Sequence, residues 1–170
     1  QDRTDELFTS ESVLAAVTAV ARPVAGCSVR PLGAMRYAAF AAPDFAAAAF
    51  PGGLTRERLA RAPVVVFNRR DTMQHRFMRE VTGDALTPPT HYVPSAADFV
   101  RAIQLGLGWG LVPELQYAAL PHPRGLVPLA PERPVDVPLF WQVWPLDSPP
   151  LRALSEVVRA AAATSLRPGA

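Results

Sequence analysis

The segment 91–113, HYVPSAADFVRAIQLGLGWGLVP, restricts the fold more than any other stretch of the chain. It opens on a short extended run, His91 to Val93, and turns at Pro94. Ser95 followed by Asp98 resembles a capping box with Asp in place of the usual Glu or Gln, so a helix is predicted from Ser95. Phe99, Ala102 and Ile103 mark its apolar face, and Gly106 ends it where a left-handed residue is needed. Residues 109–112 form an apolar run stopped by Pro113, the pattern of a buried strand. Strand, helix and strand in so little chain make a βαβ unit, which brings a parallel sheet with it.

The rest of the chain arranges itself around this unit. Residues 12–18 read as a buried strand after a polar opening at 2–10. Two extended segments follow at 27–32 and 36–41, separated by Gly33. Residues 43–49 are helical, and Thr55 caps a second helix that ends by Pro63. The β-branched run 64–67 is the strongest strand signal, and it leads into Asn68-Arg69-Arg70-Asp71 and a helix over 72–81 with Phe77 and Met78 inward. After Pro113 come a short helix at 114–120, an edge strand at 126–129 and a proline-punctuated linker at 131–138. An aromatic strand at 139–144 precedes a long helix at 148–165, with Leu151, Leu154, Val157, Val158 and Ala161 on its inner face. The alternation of strands and helices is that of an α/β protein.

Composition narrows the function classes. The chain has 170 residues, 49 % hydrophobic and 19 % charged, with a net charge of +2, so it is long enough for one core or two small lobes. All 17 basic residues are Arg, scattered rather than clustered, which is weak support for a nucleic-acid surface. A single cysteine, Cys27, builds neither a disulfide framework nor a thiolate metal site. No apolar run approaches the ~20 residues of a membrane span, and no secretory signal opens the sequence, so a cytoplasmic home is expected. The first residue is Gln rather than Met, which suggests a fragment or a processed chain.

Catalytic constellations are not evident. His75, His91 and His122 are far apart in sequence, Gly-x-Ser-x-Gly is absent, and Asp71 with His75 is too little for a metal. Gly106-Leu-Gly-Trp-Gly110 follows a helix and precedes a strand, whereas a phosphate loop needs the reverse order. Those glycines read as a tight helix-to-strand turn, and no cofactor is expected. What remains is a cleft argument: ligands of open α/β sheets bind beyond the carboxyl ends of the strands, where helix N-termini present free N–H groups. Three strand ends qualify, at Thr18, at Asn68 to Asp71, and at Pro94-Ser95 with Ala96 behind it. Ser95 and the amides after it suit a carboxylate; Asp71, helped by Asn68, suits a cationic group. The competing reading makes Asp71, Ser95 and Asp98 helix caps only.

Taken in order, residues 13–18 (VLAAVT), 29–33 (VRPLG), 62–68 (APVVVFN), 93–99 (VPSAADF) and 108–113 (GWGLVP) resemble the effector-binding domain of LysR-type transcriptional regulators. The turn 51–56 (PGGLTR), the Asp71-x-Met73 pair and the strand 139–144 (LFWQVW) are similar to the branch that activates arginine and lysine exporters. The resemblance runs over essentially the whole chain. It implies a two-lobed α/β domain like the periplasmic binding proteins, with mixed, mostly parallel sheets and an effector in the interlobe cleft. Residues 1–36 and 137–170 would form the first lobe, incomplete at its N-terminus, and residues 37–136 the second. Also implied are an effector that is a basic amino acid, contacts from Thr18, Asn68, Asp71, Ser95 and Ala96, and a homodimer or tetramer. DNA would be met only through a helix-turn-helix region outside this chain. Two readings compete with it: a stand-alone solute-binding protein of a transporter, and a small α/β enzyme.

Overall fold

The computed structural model describes residues 13–120 and 125–169. Residues 1–12, which include the polar opening, and His122 lie outside that description. The chain divides into two compact units, one of residues 1–36 and 136–170 and one of residues 37–135. Asp136 belongs with the first, where its carboxylate takes two hydrogen bonds from the Arg36 guanidinium, at 2.7 and 2.6 Å.

Unit 2 is the better-packed body. Its strands are the second half of β2 (Ser28–Ala41), β3 (Val64–Val66), β4 (Thr90–Tyr92), β5 (Gly110–Pro113) and β6 (Val127–Pro128). Its helices are α1 (Pro43–Ala49), α2 (Arg56–Arg61), α3 (Met73–Thr82), α4 (Ala96–Gln104) and α5 (Glu114–Ala118). β3 and β4 pair in parallel, and Trp109 joins β3 from the other side through a parallel bridge to Val64. The βαβ unit of 91–113 is therefore real, but its two strands are not neighbours: β3 lies between them. β5 and β6 meet β2 antiparallel. The sheets are mixed as expected. The expected parallel majority is not seen among the described residues, because β2 is a long return strand that both its partners in this unit meet antiparallel.

The strand period of two divides the core of unit 2 into two layers. Val64, Val66, Leu111, Ala39 and Ala41 face one way, onto Phe50, Leu59, Phe77, Met78 and Trp109. Val65, Val112, Ala38 and Phe40 face the other, onto Phe99, Val100, Ala102 and Ile103 of α4. Because both faces are covered, β3 can be a continuous β-branched run with all three residues buried. α4 begins where the sequence indicates: the Ser95 hydroxyl accepts from the Asp98 N–H at 3.4 Å, and Gly106, at φ +79°, follows its end.

Unit 1 contains β1 (Ala15–Thr18), the first half of β2, most of β7 (Val135–Val143) and α6 (Pro149–Ser165). β1 pairs antiparallel with β7, which lies between β1 and β2. Four expectations need correction here. The strand after the N-terminus is not buried throughout: Thr18 is, but Leu14 and Val17 are exposed. Gly33 does not interrupt β2. At φ +129° it stays in the strand, and it has no Cβ because one would sit 2.6 Å from the Arg167 carbonyl oxygen. The inner face of α6 is set by Leu151, Ser155, Val158 and Ala162, whereas Leu154 and Val157 are 48 % and 65 % exposed. Apolar spacing at i, i+3 and i+4 defined two overlapping stripes on this alanine-rich helix, and the polar Ser155 marks the buried one, receiving the Trp141 indole N–H at 3.0 Å. The linker at 131–138 also gives way, since β7 already starts at Val135.

Candidate functional site

Within unit 2, a pocket of about 300 Å³ opens beyond the carboxyl ends of the strands. The segment after β3 supplies Phe67, Asp71, Met73 and Gln74; the start of α4 supplies Ala96 and Phe99. The end of β5 and α5 supply Pro113 and Gln116, and β2 supplies Tyr37, which is paired with Pro113.

Asp71 is fixed before any ligand arrives. One carboxylate oxygen accepts from the Met73 N–H at 3.0 Å and the other from the Phe67 N–H at 3.3 Å. It thus caps the entry to α3, as one reading of the sequence held, and it also lines the pocket. Asn68 supports the same turn: its side-chain oxygen accepts from the Arg70 and Asp71 N–H groups at 2.8 and 3.2 Å. Tyr37 faces this carboxylate, and burial, then the Asp71 charge, push its phenol above its ordinary pKa, so it is a neutral O–H at physiological pH. Gln116 donates its amide N–H to the Ala96 carbonyl at 2.9 Å, tying α5 to the start of α4. Gln74 is 2 % exposed, and its side-chain oxygen has no hydrogen-bond partner.

Of the five residues singled out from sequence, Asp71 and Ala96 line the pocket. Asn68 and Ser95 do not line it; they shape its rim from within the Asp71 turn and at the α4 cap. Thr18 lies in unit 1, where its hydroxyl accepts from the Val20 N–H at 3.1 Å. Tyr37, Gln74 and Gln116 were not singled out. Gln74 had a signal: it is a polar residue three and four positions before Phe77 and Met78, on the inward face of α3. Tyr37 and Gln116 carried none, since only the β2–β5 pairing and the packing of α5 bring them here.

His75 and His91 stand apart from the pocket lining, and no group of three metal-ligating side chains occurs among the described residues. Cys27 is a half-buried free thiol whose pKa burial raises. No helix among the described residues is long and apolar enough to cross a membrane.

A pocket with apolar walls and a single carboxylate, at the strand ends of a mixed α/β unit, has the form of a small-molecule-binding domain. Comparison with known proteins specifies which. The family model of the LysR substrate binding domain matches residues 10–164. The chain is 40 % identical over 162 residues to the HTH-type transcriptional regulator LysG of Mycobacterium tuberculosis (strain H37Rv), covering 95 % of this chain and 53 % of that protein. It is 45 % identical over 132 residues to the HTH-type transcriptional regulator ArgP of Pseudomonas fluorescens (strain Pf-5), covering 78 % and 44 %. Full-length LysG from Corynebacterium glutamicum, solved with bound effector Arg, superposes with a TM-score of 0.81 at 39 % identity over 99 % of this chain and 57 % of that one. The chain belongs to the LysR family of transcriptional regulators, as a substrate-binding domain; it is not an enzyme. It spans about half the length of the curated relatives it matches.

Proposed function

We propose that this chain is the effector-sensing part of a cytoplasmic LysR-type regulator that binds a basic amino acid (lysine, arginine or histidine) and controls transcription of an amino-acid exporter. The observation that carries the reading is the charge of the pocket. In a chain with 17 arginines, no Arg or His is among its lining residues, and Asp71 is their one carboxylate. A cation with an apolar stem fits such a lining: Phe67, Met73, Phe99 and Leu111 can take methylenes while Asp71 takes the charge. Ser95 and the free N–H groups of the first turn of α4 suit the ligand's carboxylate. The relatives point the same way, through the name of the C. glutamicum protein, a lysine export regulatory protein, and the arginine bound in its structure. DNA binding through a helix-turn-helix region, and assembly into a dimer or tetramer, would belong to the longer protein.

Calorimetry on the full-length protein with lysine, arginine and histidine is the test. Asp71→Asn is the informative variant, because Asp71→Ala also removes the cap on α3 while Asn can still accept at the turn. Loss of one charged partner should weaken binding by about 10- to 100-fold. No heat with any of the three ligands, and no shift in melting temperature, would refute the reading.

A further inference from the structure

We propose that Tyr37 reads the ligand's cationic head together with Asp71, and that its hydroxyl favours a guanidinium over an ammonium. The guanidinium donates one N–H to the carboxylate and another to the phenol oxygen. This rests on the basic-amino-acid reading above and deepens it.

The ring and the hydroxyl of Tyr37 have different tasks. The ring packs against the core layer that contains Leu111 and Phe77, and the backbone is held in register by the pairing of Tyr37 with Pro113. A side chain carried on a paired strand is placed more precisely than one on a loop. The hydroxyl takes no part in this. A tyrosine oxygen both donates and accepts, yet among the described residues this one has no hydrogen-bond partner. The side-chain polar atoms there that are both unpaired and sealed from solvent are Gln74 Oε1 and Trp109 Nε1. The Tyr37 oxygen is not one of them, so it keeps access to solvent, on a residue that lines the pocket. A phenylalanine would pack as well without a polar atom to desolvate.

Asp71 shows what such an oxygen can do. Its charge acts on the phenol although no hydrogen bond joins the two, so they face each other across more than one hydrogen-bond length. Each Asp71 oxygen holds one backbone N–H and keeps capacity for another donor. A guanidinium is a rigid planar fork of five N–H groups, so it reaches two separated acceptors with different nitrogens. An ammonium serves both from a single nitrogen. It gains most at the carboxylate and leaves the phenol oxygen to water.

The experiment titrates full-length protein, wild type and Tyr37→Phe, with L-arginine and L-lysine by calorimetry, and melts both proteins without ligand. Tyr37→Phe should bind arginine about 10-fold more weakly, the low end for a hydrogen bond to a charged group, and lysine less than about 3-fold more weakly. Its unliganded melting temperature should stay within about 2 °C of wild type, because the lost hydroxyl bonds nothing in the protein. An altered pocket shape would weaken both ligands together and leave their ratio where it was. Unchanged arginine affinity, an unchanged arginine-to-lysine ratio, or an unliganded melt lowered by more than about 4 °C overturns the role of Tyr37. So does a wild type that binds lysine or histidine but not arginine. Each of these results leaves the proposed function standing. A wild type that binds none of arginine, lysine and histidine overturns both.

Discussion

Gly108→Ala is the sharpest probe of how unit 2 is held together. Gly108 stands beside the first residue of β3. A Cβ there would lie 2.6 Å from the Pro63 carbonyl oxygen, 2.9 Å from its carbon and 3.3 Å from the Val64 nitrogen. All three are backbone atoms, so no side chain can swing aside; the chain itself must move by about 0.8 Å to reach ordinary contact at 3.4 Å. The movement strikes the place where the parallel bridge is made, through Trp109 N–H to Pro63 at 3.1 Å and Val65 N–H to Trp109 at 2.8 Å. Overpacking costs about 1–3 kcal/mol, and weakening two hydrogen bonds about 1 kcal/mol each. Against this, alanine restricts the unfolded chain and returns about 0.5–1 kcal/mol. The net loss is about 2–4 kcal/mol, which lowers the melting temperature by roughly 5–15 °C in a protein of this size. Thermal melts by circular dichroism measure it. Gly125→Ala is the control, because its nearest neighbours are Gln104 side-chain atoms at 3.5 Å and beyond. A Gly108→Ala protein that melts within about 2 °C of wild type would show that close backbone approach does not govern this junction.

Four further substitutions separate the remaining arguments. Gln142, fully buried, donates to the Val20 and Arg22 carbonyls and accepts from the Val24 N–H, so Gln142→Leu should cost about 1–3 kcal/mol and speed amide exchange at Val24. Leu151→Ala should cost about 2–4 kcal/mol in urea unfolding while Leu154→Ala costs under about 1 kcal/mol; equal costs would restore the other stripe of α6. The Arg36 hydrogen bond holds the Asp136 carboxyl below its usual pKa of 3.8, and the Arg36 and Arg167 charges add to it. A depressed pKa contributes stability above the unfolded value and loses it as pH falls through the folded one. Asp136→Asn should therefore destabilise at pH 7, by at most about 1 kcal/mol for a pair this exposed, and match wild type near pH 2. A difference that persists at low pH would mean that Asp136 acts by something other than its charge.

Local signals carried much of the fold and part of the pocket. The Ser95 cap, the Gly106 stop and the Val64–Val66 run are written in adjacent residues, and each appears where the sequence indicates. The continuity of β2 through Gly33 was hidden, because its cause is the Arg167 carbonyl, far away in sequence. Insertion of β3 between the strands of the βαβ unit was hidden for the same reason: order within a sheet is a long-range property. In the pocket, Asp71 and Ala96 were legible because strand ends and helix starts are local. Tyr37 and Gln116 were not, because β2 and α5 reach the pocket only through tertiary packing.

The discontinuity of unit 1 bears on how the chain folds as it leaves the ribosome. Ala34 exchanges both backbone hydrogen bonds with Arg167, at 2.9 and 3.0 Å, so β2 keeps an unmet partner until residue 167 is made. Unit 2 is a single uninterrupted stretch and can condense while residues from 136 on are still in the tunnel or unsynthesised. Unit 1 must hold its early strands open across that interval, and the loop it closes is long and slow to close. Chains stalled shortly after residue 135 has emerged should therefore resist brief proteolysis over residues 37–135 and be cut between 13 and 36. Synthesis order thus gives the pocket's own unit a head start over the rest of the domain.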